Sequence, residues 1–429
     1  MHLTEKACIK LENKLFRILD ALECSRLGIA VSGGGDSIAL MNLAQNWANT
    51  KNTCLEIVTV DHNLRDESEF EADFVKNSAL ELNLTHDILK WRQKPSGNLQ
   101  NSARNARYEL ILEWAKSKNL KVVLMGHNLD DQEETIMLRM IRGSGIDGLA
   151  GIPEKSNLRG IMFFRPLLTT SREELRRFLK WRNISWVEDL SNNDERFDRI
   201  KIRHLLKEVR SLGLSTRRLS RMAGHMSRAR TALNELTLRH AKLCVDQKSW
   251  GDLEIFLPKF VLASREVQLR ILAKALCWIS GKSYRPRFSS LERLLDFLLS
   301  SEVKTGKSLM GVTIRPFENK IILRREKAFL PKTFSVKSNK LIWDNRWSLE
   351  IDMTHLDGCK LGPLGSKGLR EVVTKNGKSR NVPSKALEVS VALYKNEKLV
   401  CAPLAEYGTG LRCGLAGGAN AFFNTIDFY

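Results

Sequence analysis

The stretch SGGGDS, Ser32–Ser37, sets three glycines, an aspartate and two hydroxyls between an apolar run, LGIAV, and the helix-like IALMNLA that follows. Glycine lets a backbone curl tightly around a bulky anion, and successive N–H groups at a helix N-terminus form a nest for phosphate with the helix dipole behind it. Ser32, Gly33, Gly34, Gly35 and Ser37 are therefore candidates to cradle phosphates. Asp36 is the odd member, because a carboxylate in an anion nest repels its guest unless a cation lies between them. A magnesium ion bridging Asp36 to a polyphosphate resolves that conflict. A tight strand-to-helix turn capped by Ser or Asp is the alternative that needs no ligand. The loop is not GxxxxGK[ST]: the GKS triplets at Gly281, Gly306 and Gly377 have Leu276, Ser301 and Val372 in place of the leading glycine, and GxGxxG spacing is also lacking.

Such a loop needs a strand to enter from and a helix to feed. LGIAV (Leu27–Val31), LEIVTV (Leu55–Val60) and KVVLMG (Lys121–Gly126) read as buried parallel strands. Helices are expected over Ile38–Ala48, Ser68–Leu82, Leu99–Ser117 and Asp131–Arg142. This βαβα alternation predicts an α/β fold with a doubly wound parallel sheet, whose ligands bind beyond the carboxyl ends of the strands. The loops at Ser32–Ser37, Asp61–Arg65 and Gly126–Asp131 fall at those ends. From Arg196 to Arg230 the chain turns strongly basic and reads as a long helical linker into a helical middle domain ending near Leu299. Hairpin-like pieces follow at Val312–Arg325 and Val389–Pro403 and suggest a small α+β domain at the C-terminus. The expected division is 1–205, 206–335 and 336–429.

Composition narrows the partners. The chain of 429 residues carries 69 Lys plus Arg against 49 Asp plus Glu, a net +20, which favours polyanions through counterion release. Its eight cysteines are scattered without a CxxC, so a zinc ribbon or cysteine-held cluster is unsupported and a reducing, cytoplasmic setting is expected. The opening MHLTEKACIKLENKLFRILD reads as an amphipathic helix rather than a targeting peptide, and no run is long enough to span a bilayer. Trp47, Trp114 and Trp186 sit in apolar patterns and read as core.

SGGxDS after a first strand resembles the pyrophosphatase loop of the PP-loop ATPases, which cleave ATP between its α and β phosphates to adenylate a substrate. Further blocks follow in order: VDHNLRDESEFEADFV (Val60–Val75), NLQNSARNARYELI (Asn98–Ile111), GHNLDDQEETIMLRMIRGSGIDGLAGI (Gly126–Ile152), RPLL (Arg165–Leu168) and WVEDLSNND (Trp186–Asp194). Together they resemble the tRNA(Ile)-lysidine synthetases over roughly Leu27 to Leu206. SGGxDS alone marks the superfamily, whereas the ordered set is far more specific.

The resemblance implies that ATP adenylates the C2 carbonyl of the wobble cytidine in a CAU anticodon of tRNA(Ile). The ε-amine of free L-lysine then displaces AMP. On this reading Ser32, Gly33, Gly34, Gly35, Asp36 and Ser37 hold ATP, with His62, Gly126 and His127 against the nucleotide. Asp36 and Asp131 hold magnesium, while Asp130, Asp131 and Glu134 are candidates for metal and for the lysine amine, Asp130 and Glu134 being i,i+4 on one helical face. An N-cap box of Asp130 with Glu133 is the structural alternative for that group. Arg104 and Arg107, three apart on a helix, could reach ATP or RNA phosphates, Arg107 as a catalytic residue and Arg104 toward tRNA. Arg142, beside the glycine-rich Gly143–Gly145 loop, also faces tRNA, as do Arg199, Arg203, Arg217, Arg218 and Arg221. In the basic block RFDRIKIRHLL, Ile200 and Lys201 depart from the family's usual Asn and Arg. A lone histidine without a second ligand at metal spacing does not read as zinc-binding. No membrane partner is expected, and a homodimer stays open. The rival readings are a PP-loop tRNA thiolase, disfavoured by the cysteines, and a non-catalytic tRNA adaptor, disfavoured by Asp36 standing with the Asp130, Asp131 and Glu134 group.

Overall fold

The computed structural model describes residues 2–61, 67–91, 99–188, 198–213, 215–282, 284–300, 305–352, 358–376 and 381–427. The chain divides into two compact units, 1–231 and 232–428, and the division falls within a long helix. Each unit is built around its own buried cores.

The first unit opens with α1 (His2–Asp20) and continues as β1 (Arg26–Ala30), α2 (Gly35–Lys51), β2 (Cys54–Asp61), α3 (Glu67–Glu81), β3 (Thr85–Lys90), α4 (Leu99–Ser117), β4 (Val122–Met125) and α5 (Leu129–Ile141). A short α6 (Ile146–Leu149), the hairpin β5 (Lys155–Leu158) and β6 (Ile161–Phe164), α7 (Arg172–Trp181), α8 (Asp198–Ser211) and the first part of α9 (Thr216–Cys244) complete it. The six strands are ordered β3-β2-β1-β4-β6-β5, parallel except for β5 at one edge. Period-two alternation sends Leu27, Ile29, Leu55, Ile57, Val122 and Leu124 into the core shared with α1, α2, α3 and α7. Val58, Val123 and Met125 face the other way, against Ile111, Leu112 and Trp114 of α4. A doubly wound sheet follows from that two-sided apolar pattern.

The expected strands and helices of this unit are present within a residue or two at most ends. The additions are β3, the β5–β6 hairpin, α6 and α7. THDILK of β3 lies at the sheet edge, half-exposed along most of its length, so its sequence lacks the apolar run that marks the central strands. Trp47 and Trp114 are buried, as expected, while Trp186 is partly buried against the α2 side.

In the second unit, β7 (Val245–Gln247), β8 (Leu253–Phe256), α10 (Leu257–Phe260), α11 (Arg265–Ser280), α12 (Phe288–Leu299), β9 (Lys307–Leu309), β10 (Val312–Phe317) and β11 (Lys320–Arg325) share one core. The strands form a sheet in the order β7-β8-β11-β10-β9, so this stretch is as much sheet as helix. The Val312–Arg325 hairpin is found as β10 paired with β11. Beyond it lie β12 (Phe334–Ser335), β13 (Lys340–Trp343), β14 (Trp347–Ile351), β15 (Cys359–Pro363), α13 (Gly365–Asn376), α14 (Ser384–Glu388), β16 (Val391–Lys395), β17 (Lys398–Cys401), β18 (Leu411–Leu415) and α15 (Ala421–Asp427). These strands make two small sheets, β12-β15-β16-β17 and β13-β14-β18. The Val389–Pro403 hairpin is β16 with β17.

The cysteines are free, and no helix among the described residues is long and apolar enough to cross a membrane.

Candidate active site

Strand order reverses on either side of β1, with β2 to one side and β4 to the other, which opens a crevice at their carboxyl ends. Ser32–Ser37 leaves β1 there and Gly126–His127 leaves β4. Gly33 adopts φ +86°, a left-handed conformation that glycine takes without strain, and Gly34 is the extended residue preceding α2. The loop is pinned from within: the Ser32 amide donates to Ser37 Oγ at 3.1 Å, and Ser37 Oγ donates to the Gly34 carbonyl at 2.9 Å. It is also pinned from outside, where the Val187 amide donates to the Gly33 carbonyl at 3.0 Å and Gly34 bridges Val187 as in a parallel sheet. Thus Trp186–Glu188 fold onto the glycine loop. A Cβ on Gly126 would lie 3.1 Å from Ser37 Cα and 3.2 Å from Ser37 N, so glycine there lets the two loops touch. The Ser37 amide turns back onto the Gly34 carbonyl at 3.0 Å, whereas helix geometry directs the amides of Gly35 and Asp36, at the start of α2, along the axis toward the crevice.

The carboxylates come from two helix starts. Asp36 lies in the first turn of α2, and Asp130, Asp131 and Glu134 in the first turns of α5. The cap of α5 is a box, but not the expected one: Asn128 Oδ1 accepts the Asp131 amide at 3.0 Å and Asp131 Oδ2 accepts the Asn128 amide at 3.1 Å. Asp130 is left to accept the Arg172 amide at 2.8 Å through Oδ2. Capping therefore uses one oxygen of Asp131 and none of Glu134.

Arg172 is the residue that sequence reasoning missed. Its Nε lies 3.3 Å from Asp36 Oδ2, Nη2 3.3 Å from Asp131 Oδ1, and Nη1 3.8 Å from Glu134 Oε1. It occupies the first position of α7, where a cation opposes the helix dipole at a cost of about 0.3–1 kcal/mol. Burial of Leu175, Phe178 and Leu179, worth roughly 2 kcal/mol each, and a Ser171–Glu174 capping box outweigh that cost. The sequence carries a capping-box signal, Ser171 with Glu174, for the helix that starts at Arg172, but nothing local ties the guanidinium to the carboxylates.

Electrostatics follow from this crowding. Burial pushes the Asp36 carboxyl above the ordinary aspartate range; Arg172 pulls it back while Asp131, a like charge, pushes it further up. Burial also raises Glu134, against the pull of Arg203 and Arg172. Burial alone would depress Arg172, but Asp36, Asp131, Glu134 and Asp130 reverse that and hold the guanidinium above its usual value.

Arg203, expected toward RNA, is brought instead onto this cluster: its Nε donates to Glu134 Oε1 at 2.6 Å, and Glu134 is only 2 % exposed. Arg210 donates to Glu133 at the same distance, so two arginines of α8 clamp two buried carboxylates of α5. Ile202 and Leu206 pack with Ile136 and Met137 between them.

His127 is half-buried beside the crevice, and His62 lies outside the described residues. Arg107 is half-buried on α4, and the exposed Arg104 stacks over Tyr108 at 5.3 Å. Arg165 of the RPLL run is buried, donating to the Pro153 carbonyl and the Tyr108 hydroxyl. Arg142 is exposed at the C-cap of α5. The adjoining glycine-rich run is held by Arg139, which donates to the carbonyls of Gly148 and Gly151, and by Gln132, which exchanges two hydrogen bonds with Ile152. Arg199 lies on α8 and Arg217 on α9, their side chains outside the description; Arg218 caps the Gly213 carbonyl at 2.7 Å and Arg221 is exposed.

Among the described residues no group of three or more His, Cys, Asp and Glu side chains is placed to hold a metal. Magnesium typically takes one or two protein carboxylates and completes its shell with phosphate oxygens and water. Asp36 and Asp131, close enough to share one guanidinium, fit that pattern.

Residues 8–209 match the family model described as a PP-loop domain. The chain is 39 % identical to a tRNA(Ile)-lysidine synthase of Wolbachia pipientis wMel over 84 % of its own length and 82 % of the relative's. It is 37 % identical to a tRNA(Ile)-lysidine synthase of Wolbachia sp. subsp. Brugia malayi over 80 % and 81 %. A tRNA(Ile)-lysidine synthase of Ruegeria pomeroyi is 36 % identical over 94 % of both chains.

Proposed function

This chain belongs to the tRNA(Ile)-lysidine synthases, and from that premise we propose how its own residues divide the work. It is an ATP-using ligase that joins L-lysine to C2 of the wobble cytidine of tRNA(Ile). In our reading the anticodon is CAU, the metal is magnesium and the setting is cytoplasmic. The C2 carbonyl oxygen attacks the α-phosphorus of ATP and the α–β bridge breaks. The lysine ε-amine then attacks C2, loses a proton, and AMP departs with the former carbonyl oxygen.

The Ser32–Ser37 loop and the start of α2 hold the triphosphate, their amides meeting the charge that grows on departing pyrophosphate. Asp36 and Asp131 would hold the magnesium ion, which supplies charge neutralisation of the phosphates when bound. Glu134 and Asp130 are assigned to the lysine ammonium: Glu134 Oε2 is buried without a hydrogen-bond partner among the described residues, an acceptor awaiting a donor. Gly126 and His127 border the nucleotide, and Arg107 and Arg104 serve phosphates along α4. Arg142, Arg199, Arg217, Arg218 and Arg221, together with residues 206–335 and 336–429, contribute to tRNA binding through phosphate and shape.

The observation that carries this reading is the meeting of Asp36, Asp131 and Glu134 on one guanidinium directly beside a glycine-built phosphate nest. Its test separates the two chemical steps. With ATP and tRNA(Ile) but no lysine, adenylated tRNA and pyrophosphate should form. Adding lysine should release AMP. Release of AMP that requires a sulfur donor instead would favour the thiolase.

A further inference from the structure

The carboxylate cluster already contains a cation of the chain's own. Arg172 is three-quarters buried, and its guanidinium spans Asp36, Asp131 and Glu134. The quality of these contacts is uneven. Arg203 and Arg210 meet Glu134 and Glu133 at 2.6 Å, the length of strong charge-assisted bonds. The Arg172 guanidinium lies 3.3, 3.3 and 3.8 Å from its carboxylates, although its own backbone amide is held tightly on Asp130 at 2.8 Å. The helix start is thus fixed while the side chain is shared loosely among three acids. The face of α7 that carries Arg172, Glu173, Arg176, Arg177 and Lys180 borders an open surface groove of about 420 Å³. Glu134 Oε2 remains without a hydrogen-bond partner among the described residues.

We propose that Arg172 is a resident counter-cation: it holds Asp36, Asp131 and Glu134 together while ATP is absent and yields that seat when the cations of the reaction arrive. Cation binding at this site is then an exchange rather than an addition. The idea rests on the assignment of these carboxylates to magnesium and the lysine ammonium. Charges about 4 Å apart in a partly buried site interact strongly enough to decide whether the site attracts or refuses a further cation.

The test uses the full-length protein without ATP or tRNA and magnesium ion alone as the probe. Calorimetric titration and melting curves compare wild type with Arg172→Met. The exchange predicts that the variant binds magnesium at least about tenfold more tightly. It also predicts a melting temperature that falls without metal and recovers with it, while wild type barely responds. A folded variant that binds magnesium no better than wild type overturns the proposal. Should Arg172→Met fail to fold, the double variant Arg172→Met/Asp36→Asn decides: recovery of folding, or rescue of the single variant by magnesium, supports a counter-charge role. Failure of both shows Arg172 to be a packing element and overturns it. Because lysine and tRNA are absent, failure of the lysine-ligation reading would leave this result standing, and the reverse.

Discussion

Asp36 carries a charge where burial makes charge expensive, and that cost is the mark of a group kept for chemistry rather than stability. Replacing Asp36 with Asn should reduce lysine incorporation by about a hundredfold to a thousandfold or more, yet raise the melting temperature of the ATP-free protein. The pH dependence fixes the sign. A carboxyl whose pKa is raised by folding binds its proton more tightly in the folded state, so its penalty is full at neutral pH and fades as pH falls into the raised range. The thermal advantage of Asp36→Asn over wild type should therefore be largest near pH 8 and shrink on acidification, with Glu134→Gln following the same trend; an advantage that grows on acidification would refute this. Asp36, Asp130, Asp131 and Glu134 were legible in the sequence because each stands at a predicted helix start. Arg172 was not, since it lies 136 residues from Asp36 and 42 from Asp130 and no local pattern links them.

Elements set the precision of the site. Gly126→Ala would press a methyl group onto the backbone of Ser37, which cannot swing aside as a side chain would. The expected cost is about 1–3 kcal/mol in stability, with the KM for ATP rising more than kcat falls. Equal melting and an unchanged KM for ATP would show that the loops do not need their close approach. Arg203→Ala removes the bonded partner of a buried glutamate and should cost about 3 kcal/mol, loosening α8 from α5; a loss below about 0.5 kcal/mol, the scale of an ordinary surface change, would contradict that. The central strands and the helices α2 to α5 were readable from apolar period and length. Three features escaped: β3, whose edge position excuses it from an apolar run; α7, the short helix that carries Arg172; and the docking of α8, whose arginines read as RNA-facing charge until their buried acidic partners are seen. A basic run has the same composition whether it faces phosphate or clamps a carboxylate.

For the whole molecule, the net charge of +20 makes association with tRNA strongly dependent on salt. If Arg217, Arg218 and Arg221 each meet one phosphate, replacing all three with Gln should lower the slope of log K against log salt by about 3. An unchanged slope would remove the start of α9 from the interface. The sequence predicted the α/β catalytic half well because its motifs and periodicity agree. In the second unit the sequence showed helices up to about Leu299, but the five-, four- and three-stranded sheets of short strands showed only through two hairpins. Short half-exposed strands leave little periodic trace. The account as a whole stands on lysine reaching tRNA through the site built around Asp36. Its most direct measurement is ATP-dependent incorporation of labelled lysine into tRNA(Ile) bearing CAU, for wild type beside Asp36→Ala. Incorporation by wild type that vanishes in the variant is the predicted result. Pyrophosphate release on tRNA with no lysine incorporated by wild type, or full incorporation by Asp36→Ala, would contradict it.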